Sequence, residues 1–137
     1  MLRSLFRKEQ APPFQTPSSN ARPLDDDIFW ATAKKVDAWV AGKGYRMPDR
    51  TVESAAARMG TTSNILHRFC LQRYSLDFRS WRVMLRMEDA KKMLLEEPET
   101  TASCIGRRVG VSDRSNFLRQ FQAYTGYTPD AWRKQQH

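Results

Sequence analysis

The sequence predicts an all-α protein of about seven helices, arranged as two helix-turn-helix subdomains joined by a long linker helix. Apolar residues recur at three- and four-residue steps from Asp25 onward, and no run alternates long enough to indicate a strand. A segment also repeats, since Thr51–Gly60 lies 50 residues before Thr101–Gly110 and shares its threonine, arginine and glycine positions. With 137 residues, 40% of them hydrophobic, the chain suits one soluble domain or two very small ones.

The N-terminal segment, residues 1–24, is predicted to be a flexible, proline-rich tail or linker. Four of the seven prolines fall within residues 10–24, where no apolar period is visible. The folded part is therefore expected to cover residues 25–137. Its first helix begins at a run of three aspartates from Asp25, which offer a cap and favourable charge, and it ends near Gly42.

Each copy of the repeat indicates a helix-turn-helix. A threonine stands near the start of a short helix, and a glycine able to adopt a left-handed turn ends it. Four residues before that glycine lies a small residue, Ala56 or Gly106, as the close crossing of two helices requires. A polar turn and a second helix follow. The two units are assigned to residues 51–74 and 101–124.

A long linker helix is predicted over residues 77–97, and a closing helix over residues 128–136. Asp77 is placed to cap the linker helix and Pro98 to end it. About 20 residues at 1.5 Å each span roughly 30 Å. This length is close to the roughly 34 Å of one turn of B-DNA, so we expect the helix to hold two recognition helices in successive major grooves.

The charge is strongly basic, with 23 Lys and Arg against 15 Asp and Glu and a net charge of +8. Residues 58–86 carry six basic residues and one acidic residue, and residues 101–137 carry six and two. Between them, residues 87–100 carry two basic and five acidic residues. Apart from Lys134 the basic residues of both basic blocks are arginines, which fit phosphates and base edges better than lysines do. This pattern indicates a polyanionic partner.

The second helix of each unit is predicted to face DNA. Its polar side chains can reach base edges in a major groove. The expected base-contacting residues are Asn64, His67, Arg68, Arg114, Ser115 and Arg119. Helix starts and the supporting helix are expected to contact phosphates. These phosphate-contacting residues are Thr51, Thr62, Ser63, Thr101, Arg108 and Ser112. The threonines are first of all helix caps, and His67 owes its assignment to its neighbours on the same face.

The chain resembles the AraC/XylS family of bacterial transcription regulators, specifically their DNA-binding domain of two helix-turn-helix units. The resemblance covers residues 28–134. Its strongest motif is Ile105-Gly106…Val109-Gly110-Val111…Asp113…Ser115…Phe117…Arg119…Phe121, followed by Thr125-Gly126…Thr128-Pro129…Trp132-Arg133. The linker helix matches through Trp81…Arg86-Met87…Ala90…Met93-Leu94. The chain departs from the family at four positions. Alanine is usual at Gly106, phenylalanine at Val111 and at Cys70, and glycine at Ser75.

This resemblance implies sequence-specific binding of double-stranded DNA and regulation of transcription, with each recognition helix in a major groove. It places the base-reading side chains on the six residues named above. It also implies a cytoplasmic protein, with RNA polymerase as a partner of any activator. Family members usually carry a sensing or dimerising domain, so we expect either a small single-domain member or the output end of a longer protein. The start MLRSLFRK would suit a segment that emerges from a membrane-embedded region.

Other classes of function find little support in the sequence. No His, Cys and carboxylate cluster has metal-ligand spacing, and there is no glycine-rich phosphate loop, so we expect no enzyme, metal, cofactor or small-molecule site. Cys70 and Cys104 are too few for a disulfide framework and indicate a reduced compartment. No signal peptide or membrane-spanning run is visible. The alternatives are an all-helical protein-interaction module and a nonspecific architectural DNA binder.

Overall fold

The computed structural model describes residues 22–48 and 51–136, and within these ranges the chain is all-α, as predicted. Its helices are α1 (Asp26–Ala41), α2 (Val52–Met59), α3 (Ser63–Tyr74), α4 (Phe78–Glu96), α5 (Ala102–Arg108), α6 (Arg114–Thr125) and α7 (Pro129–Gln135). A short 3₁₀ turn, Gly44–Arg46, follows α1. No helix in the described ranges has both the length and the apolar character needed to cross a membrane.

The chain divides into two compact units within α4, between Arg82 and Val83. The first unit contains α1, α2 and α3, and the second contains α5, α6 and α7. The predicted linker helix corresponds to α4 and the predicted closing helix to α7, each one residue shorter at both ends.

Side chains at helical spacing build the core of the first unit. Leu66, Phe69 and Cys70 on α3 are fully buried, and Val36 of α1 is buried with them. Beside them the ring of Trp81 stacks on another aromatic ring, that of Tyr74, with centroids 4.6 Å apart. This packing orients α3 so that its opposite face remains accessible.

The boundary of the tail predicted at residue 24 needs correction. Leu24 is only 4% exposed, and its backbone N–H donates to Oε1 of Gln72 at 2.8 Å. Burying a leucine contributes roughly 1.5–3 kcal/mol toward the entropy cost of ordering the residues beside it, and hydrogen bonds from Arg68 hold the same segment. Residues 22–24 therefore belong to the first unit. The rest of the predicted tail lies outside the described residues.

In the second unit, a single arginine links α7 to the end of α4. Arg133 donates through Nε to the carbonyl of Leu94 at 3.0 Å, and through Nη2 to those of Glu97 at 3.2 Å and Thr100 at 2.8 Å. The last carbonyls of a helix have no partner within it, so this guanidinium caps α4 and fixes the turn into α5. The core beneath it is formed by Ile105 and three fully buried aromatic residues. These are Phe117, Phe121 and Tyr124.

Candidate nucleic-acid interface

The two turns that separate supporting and second helices share a left-handed glycine and one backbone hydrogen bond. Gly60 and Gly110 both take positive φ, of 84° and 106°. In each turn the residue after the glycine donates its N–H to the carbonyl five residues back, that of Ala56 or Gly106, at 2.9 and 2.8 Å. The 50-residue repeat in the sequence is therefore matched by the same backbone hydrogen bond in each turn.

The second turn is one residue longer than the first. Helix α3 is capped by Thr62, two residues after its turn glycine, whereas α6 is capped by Asp113, three residues after its own. The second helices therefore align at an offset of 51 residues rather than 50. Arg119 occupies the place in α6 that Arg68 occupies in α3.

The predicted phosphate contacts at helix starts are N-caps in the structure. The hydroxyl oxygens of Thr51, Thr62 and Thr101 each accept a backbone N–H from three residues further on, at 3.1–3.2 Å. Ser63 is the first residue of α3, and Ser112 is exposed in the second turn. Capping accounts for these threonines, and their contact with phosphate stays a prediction.

The faces of the second helices divide as the sequence predicts. The exposed side chains are Asn64 and His67 on α3, and Arg114, Ser115 and Arg119 on α6. Aromatic and aliphatic side chains on the opposite faces are buried. Each unit thus presents a polar, hydrogen-bonding surface on one helix, supported from behind by its own core.

Arg68 differs from the other predicted base-contacting residues. It is half-buried, and its guanidinium donates to the carbonyls of Arg22 at 2.9 Å and Pro23 at 3.3 Å. A third bond, at 3.4 Å, runs from Nη1 to Oδ1 of Asn64. The structure therefore engages Arg68 with its own chain rather than leaving it to face a ligand. Sequence analysis missed this role because the acceptors are backbone carbonyls, which no residue type marks.

Arg119 is exposed and far less constrained. One of its Nη2 N–H groups donates to Oδ1 of Asn116, three residues earlier on α6. A guanidinium carries five N–H donors, so four remain without an acceptor among the described residues. Sequence analysis also missed Asn116, although its place three residues before Arg119 on one helix was a usable signal.

Arg108, predicted to contact phosphate, is paired instead with a carboxylate. Its two Nη atoms meet the two carboxylate oxygens of Glu97 at 2.6 and 3.1 Å. This hydrogen-bonded pair raises the pKa of Arg108 further above its ordinary value. A phosphate would have to compete with that bidentate partner. The neighbouring Arg107 is exposed and makes only a 3.5 Å contact with Ser103, so it is the more available cation.

The described residues contain no group of three or more His, Cys, Asp or Glu residues that could hold a metal ion. Cys70 is fully buried, and burial, reinforced by the charge of Asp77, raises the pKa of its thiol well above the usual range. Its role in the structure is packing.

Comparison with known proteins identifies the family. A family model described as a helix-turn-helix domain matches residues 55–135. The chain belongs to the AraC/XylS family. It is accordingly a DNA-binding domain of the kind that regulates transcription. No curated protein sequence matches the chain.

Three solved structures are similar to the chain, and two of them are C-terminal domains of response regulators. One is the C-terminal domain of AraT, a response regulator from Geobacillus stearothermophilus, with 25% identity, a TM-score of 0.65 and coverage of 85% of this chain and 88% of that chain. Another is the C-terminal domain of the two-component response regulator yesN from Fusobacterium nucleatum, with 25% identity, a TM-score of 0.63 and coverage of 74% and 97%. A protein of unknown function from Listeria innocua shares the fold at 20% identity and a TM-score of 0.64, with coverage of 74% and 94%.

Two departures from the AraC-type pattern lie at positions where the local geometry favours glycine. Gly106 lies against the ring of Phe117, and an added Cβ would come within 2.7 Å of that ring. The glycine thus allows a tighter approach of α5 to α6 than the family's usual alanine would. Ser75 caps α3 with a φ of 59°, in the left-handed region where the family's usual glycine fits without strain.

Proposed function

We propose that this domain binds double-stranded DNA sequence-specifically, with α3 and α6 each inserted in a major groove, and thereby regulates transcription. The observation that carries the proposal is the duplicated turn. In both units it supports a helix whose buried face is apolar and whose exposed face carries side chains able to bond base edges. The family membership supports the same activity.

Arg119 is the main base-reading residue in this proposal. Its four available N–H groups suit the O6 and N7 acceptors of guanine, the commonest specific contact in a major groove. Arg114 and Ser115 precede it on the same exposed face of α6. In the first unit, Asn64 and His67 take the corresponding role. Asn64 accepts from Arg68 through Oδ1, which leaves its amide N–H groups as donors to a base.

The domain acts, in this proposal, by binding alone, without a catalytic step or a cofactor. A sensing region and RNA polymerase are the further partners that the family implies for a cytoplasmic regulator. Neither contributes to base recognition by α3 and α6, so the binding proposal can be tested on the chain itself.

Selection of bound duplexes from a random pool tests this proposal. Arg119→Ala and Asn64→Ala should each relax the preference at separate positions, at a cost of about 1–3 kcal/mol where the contact is bidentate. Arg107→Ala is the matched control, because it removes one arginine of the second unit outside the recognition helix. It should leave the selected sequence unchanged, even where affinity falls.

Two outcomes would overturn the proposal. An unchanged preference in Arg119→Ala would mean that α6 does not read bases. Equal competition by unrelated duplex would identify a nonspecific architectural binder, whose affinity falls with salt but does not discriminate. Absence of any duplex binding at low salt would favour the protein-interaction module instead.

A further inference from the structure

The segment that precedes α1 lies along one edge of α3. Its backbone is held by the side chains of Arg68 and Gln72, which stand one helical turn apart. Asn64 lies one turn before Arg68 and bonds to it. Residues 22–24 thus follow the stripe of α3 formed by positions 64, 68 and 72. We refer to residues 22–24 as the arm.

The direction of the arm matters for DNA binding. Arg22 and Pro23 meet Arg68, whereas Leu24 meets Gln72, which is further toward the C-terminal end of α3. Tracing the arm backward from residue 24 therefore leads toward the N-terminal part of α3. Recognition helices present that part to base edges. With α3 inserted in a groove in this way, Arg22 would be the arm residue nearest to the DNA.

The side chain of Arg22 is suited to contact a phosphate. It is exposed, and it has no acceptor among the described residues. Its backbone is fixed from both sides, because Arg68 binds its carbonyl and the buried Leu24 anchors the arm two residues later. Phosphate contacts from arginines beside a recognition helix set the register of a protein on the duplex.

We propose that the arm is part of the DNA interface of the first unit, with Arg22 contacting the DNA backbone and Arg68 acting as the positioning residue that holds it there. Arg68 then contributes to binding through the arm and not by reading a base. The inference rests on the proposed insertion of α3 in a major groove. It adds a phosphate contact by Arg22 to the DNA interface of the first unit, and it removes Arg68 from the residues that contact bases.

Affinity of the full chain for a selected duplex, measured by fluorescence anisotropy across a salt series, tests the arm. The salt slope is the slope of the logarithm of the binding constant against the logarithm of the salt concentration. Arg22→Ala should reduce its magnitude by about 0.9, the value of one phosphate contact, and should leave the selected sequence unchanged. Lys34→Ala is the matched charge control, since Lys34 is an exposed cation on α1 and makes no hydrogen bond to residues 22–24 among the described contacts. It should leave the slope unaltered.

Two further variants separate positioning from direct contact. Arg68→Ala and Arg68→Lys should both reproduce the Arg22→Ala slope, because a lysine lacks the spaced Nε and Nη2 donors with which the guanidinium reaches the two carbonyls. The double variant Arg22→Ala with Arg68→Ala should lose no more than Arg22→Ala alone. Helical circular dichroism checks that each variant is folded. Arg22 is exposed, so its replacement leaves the core intact.

The proposal is overturned if Arg68→Ala changes the preferred base at a position that Asn64→Ala leaves unchanged, or if Arg22→Ala behaves like Lys34→Ala. The Asn64→Ala variant separates this failure from failure of the proposed function. If Asn64→Ala alters the base preference while Arg22→Ala leaves the salt slope unchanged, then α3 reads bases as proposed and only the role of the arm is wrong.

Discussion

Replacing Gly106 by the alanine usual in this family should destabilise this chain, although alanine is the better helix former. The Cβ of an alanine would lie 2.7 Å from Cγ and 2.8 Å from Cδ2 of Phe117. Carbon atoms pack best at about 3.5–4.0 Å, so the ring would have to move by nearly 1 Å. Phe117 is fully buried, and it has no solvent-facing side toward which to move.

The magnitude follows from two opposed effects. Glycine in a helix interior costs about 1 kcal/mol relative to alanine, so the substitution would stabilise α5 by that amount in open space. Overpacking of a well-packed core costs about 1–3 kcal/mol. The expected net result is a loss of about 1 kcal/mol in the free energy of unfolding.

Urea unfolding followed by circular dichroism measures this loss, and Phe117→Leu supplies the control. A leucine leaves room beside residue 106, so Gly106→Ala made in that background should be neutral or stabilising. The two substitutions should therefore couple by about 1 kcal/mol or more. If Gly106→Ala alone stabilised the chain by about 1 kcal/mol, the contact with Phe117 would not limit the packing, and our explanation of this glycine would be wrong.

Three other predictions follow from local geometry. Ser75→Gly should raise the free energy of unfolding by about 0.5–1 kcal/mol in urea, since it relieves a left-handed serine, and a loss would refute that reading. A thiol reagent should label the half-buried Cys104 alone in the native chain and Cys70 only after denaturation, as mass spectrometry would show. Burial raises the pKa of Tyr74 to about 12, and burial with the bond to Glu88 raises the pKa of Tyr124. Because the folded pKa of each exceeds the unfolded value of about 10, their stabilising contribution is present below pH 10 and declines as the pH rises above it, in the case of Tyr74 until about pH 12. Native absorbance titration should lag behind that of the unfolded chain, and coincident curves would contradict this.

Helix positions and buried faces could be predicted because their causes are local in sequence. A capping threonine acts on an N–H three residues away, and an apolar stripe repeats within one helix. This is why the unit assigned to residues 51–74 ends where α3 ends, and why the predicted linker and closing helices differ from α4 and α7 by only one residue at each end.

The partners of the arginines could not be predicted in the same way. Arg68 binds carbonyls 45 and 46 residues earlier in the chain, and backbone carbonyls carry no sequence signature. Arg108 was easier in principle, because Glu97 lies only 11 residues before it in an acidic block. Charge counts show that such a block exists, but only the fold shows which arginine it neutralises.

The three hydrogen bonds from Arg133 to carbonyls at the end of α4 affect how the chain folds during its synthesis. Its three acceptors lie 33 to 39 residues earlier, so the end of α4 lacks these three bonds until residue 133 has been added. A ribosome adds about 5–20 residues per second, and N-terminal units generally fold first. The first unit ends at Arg82. A nascent chain that stalls between residues 82 and 133 would therefore contain a complete first unit, together with a second unit that lacks the hydrogen bonds from Arg133.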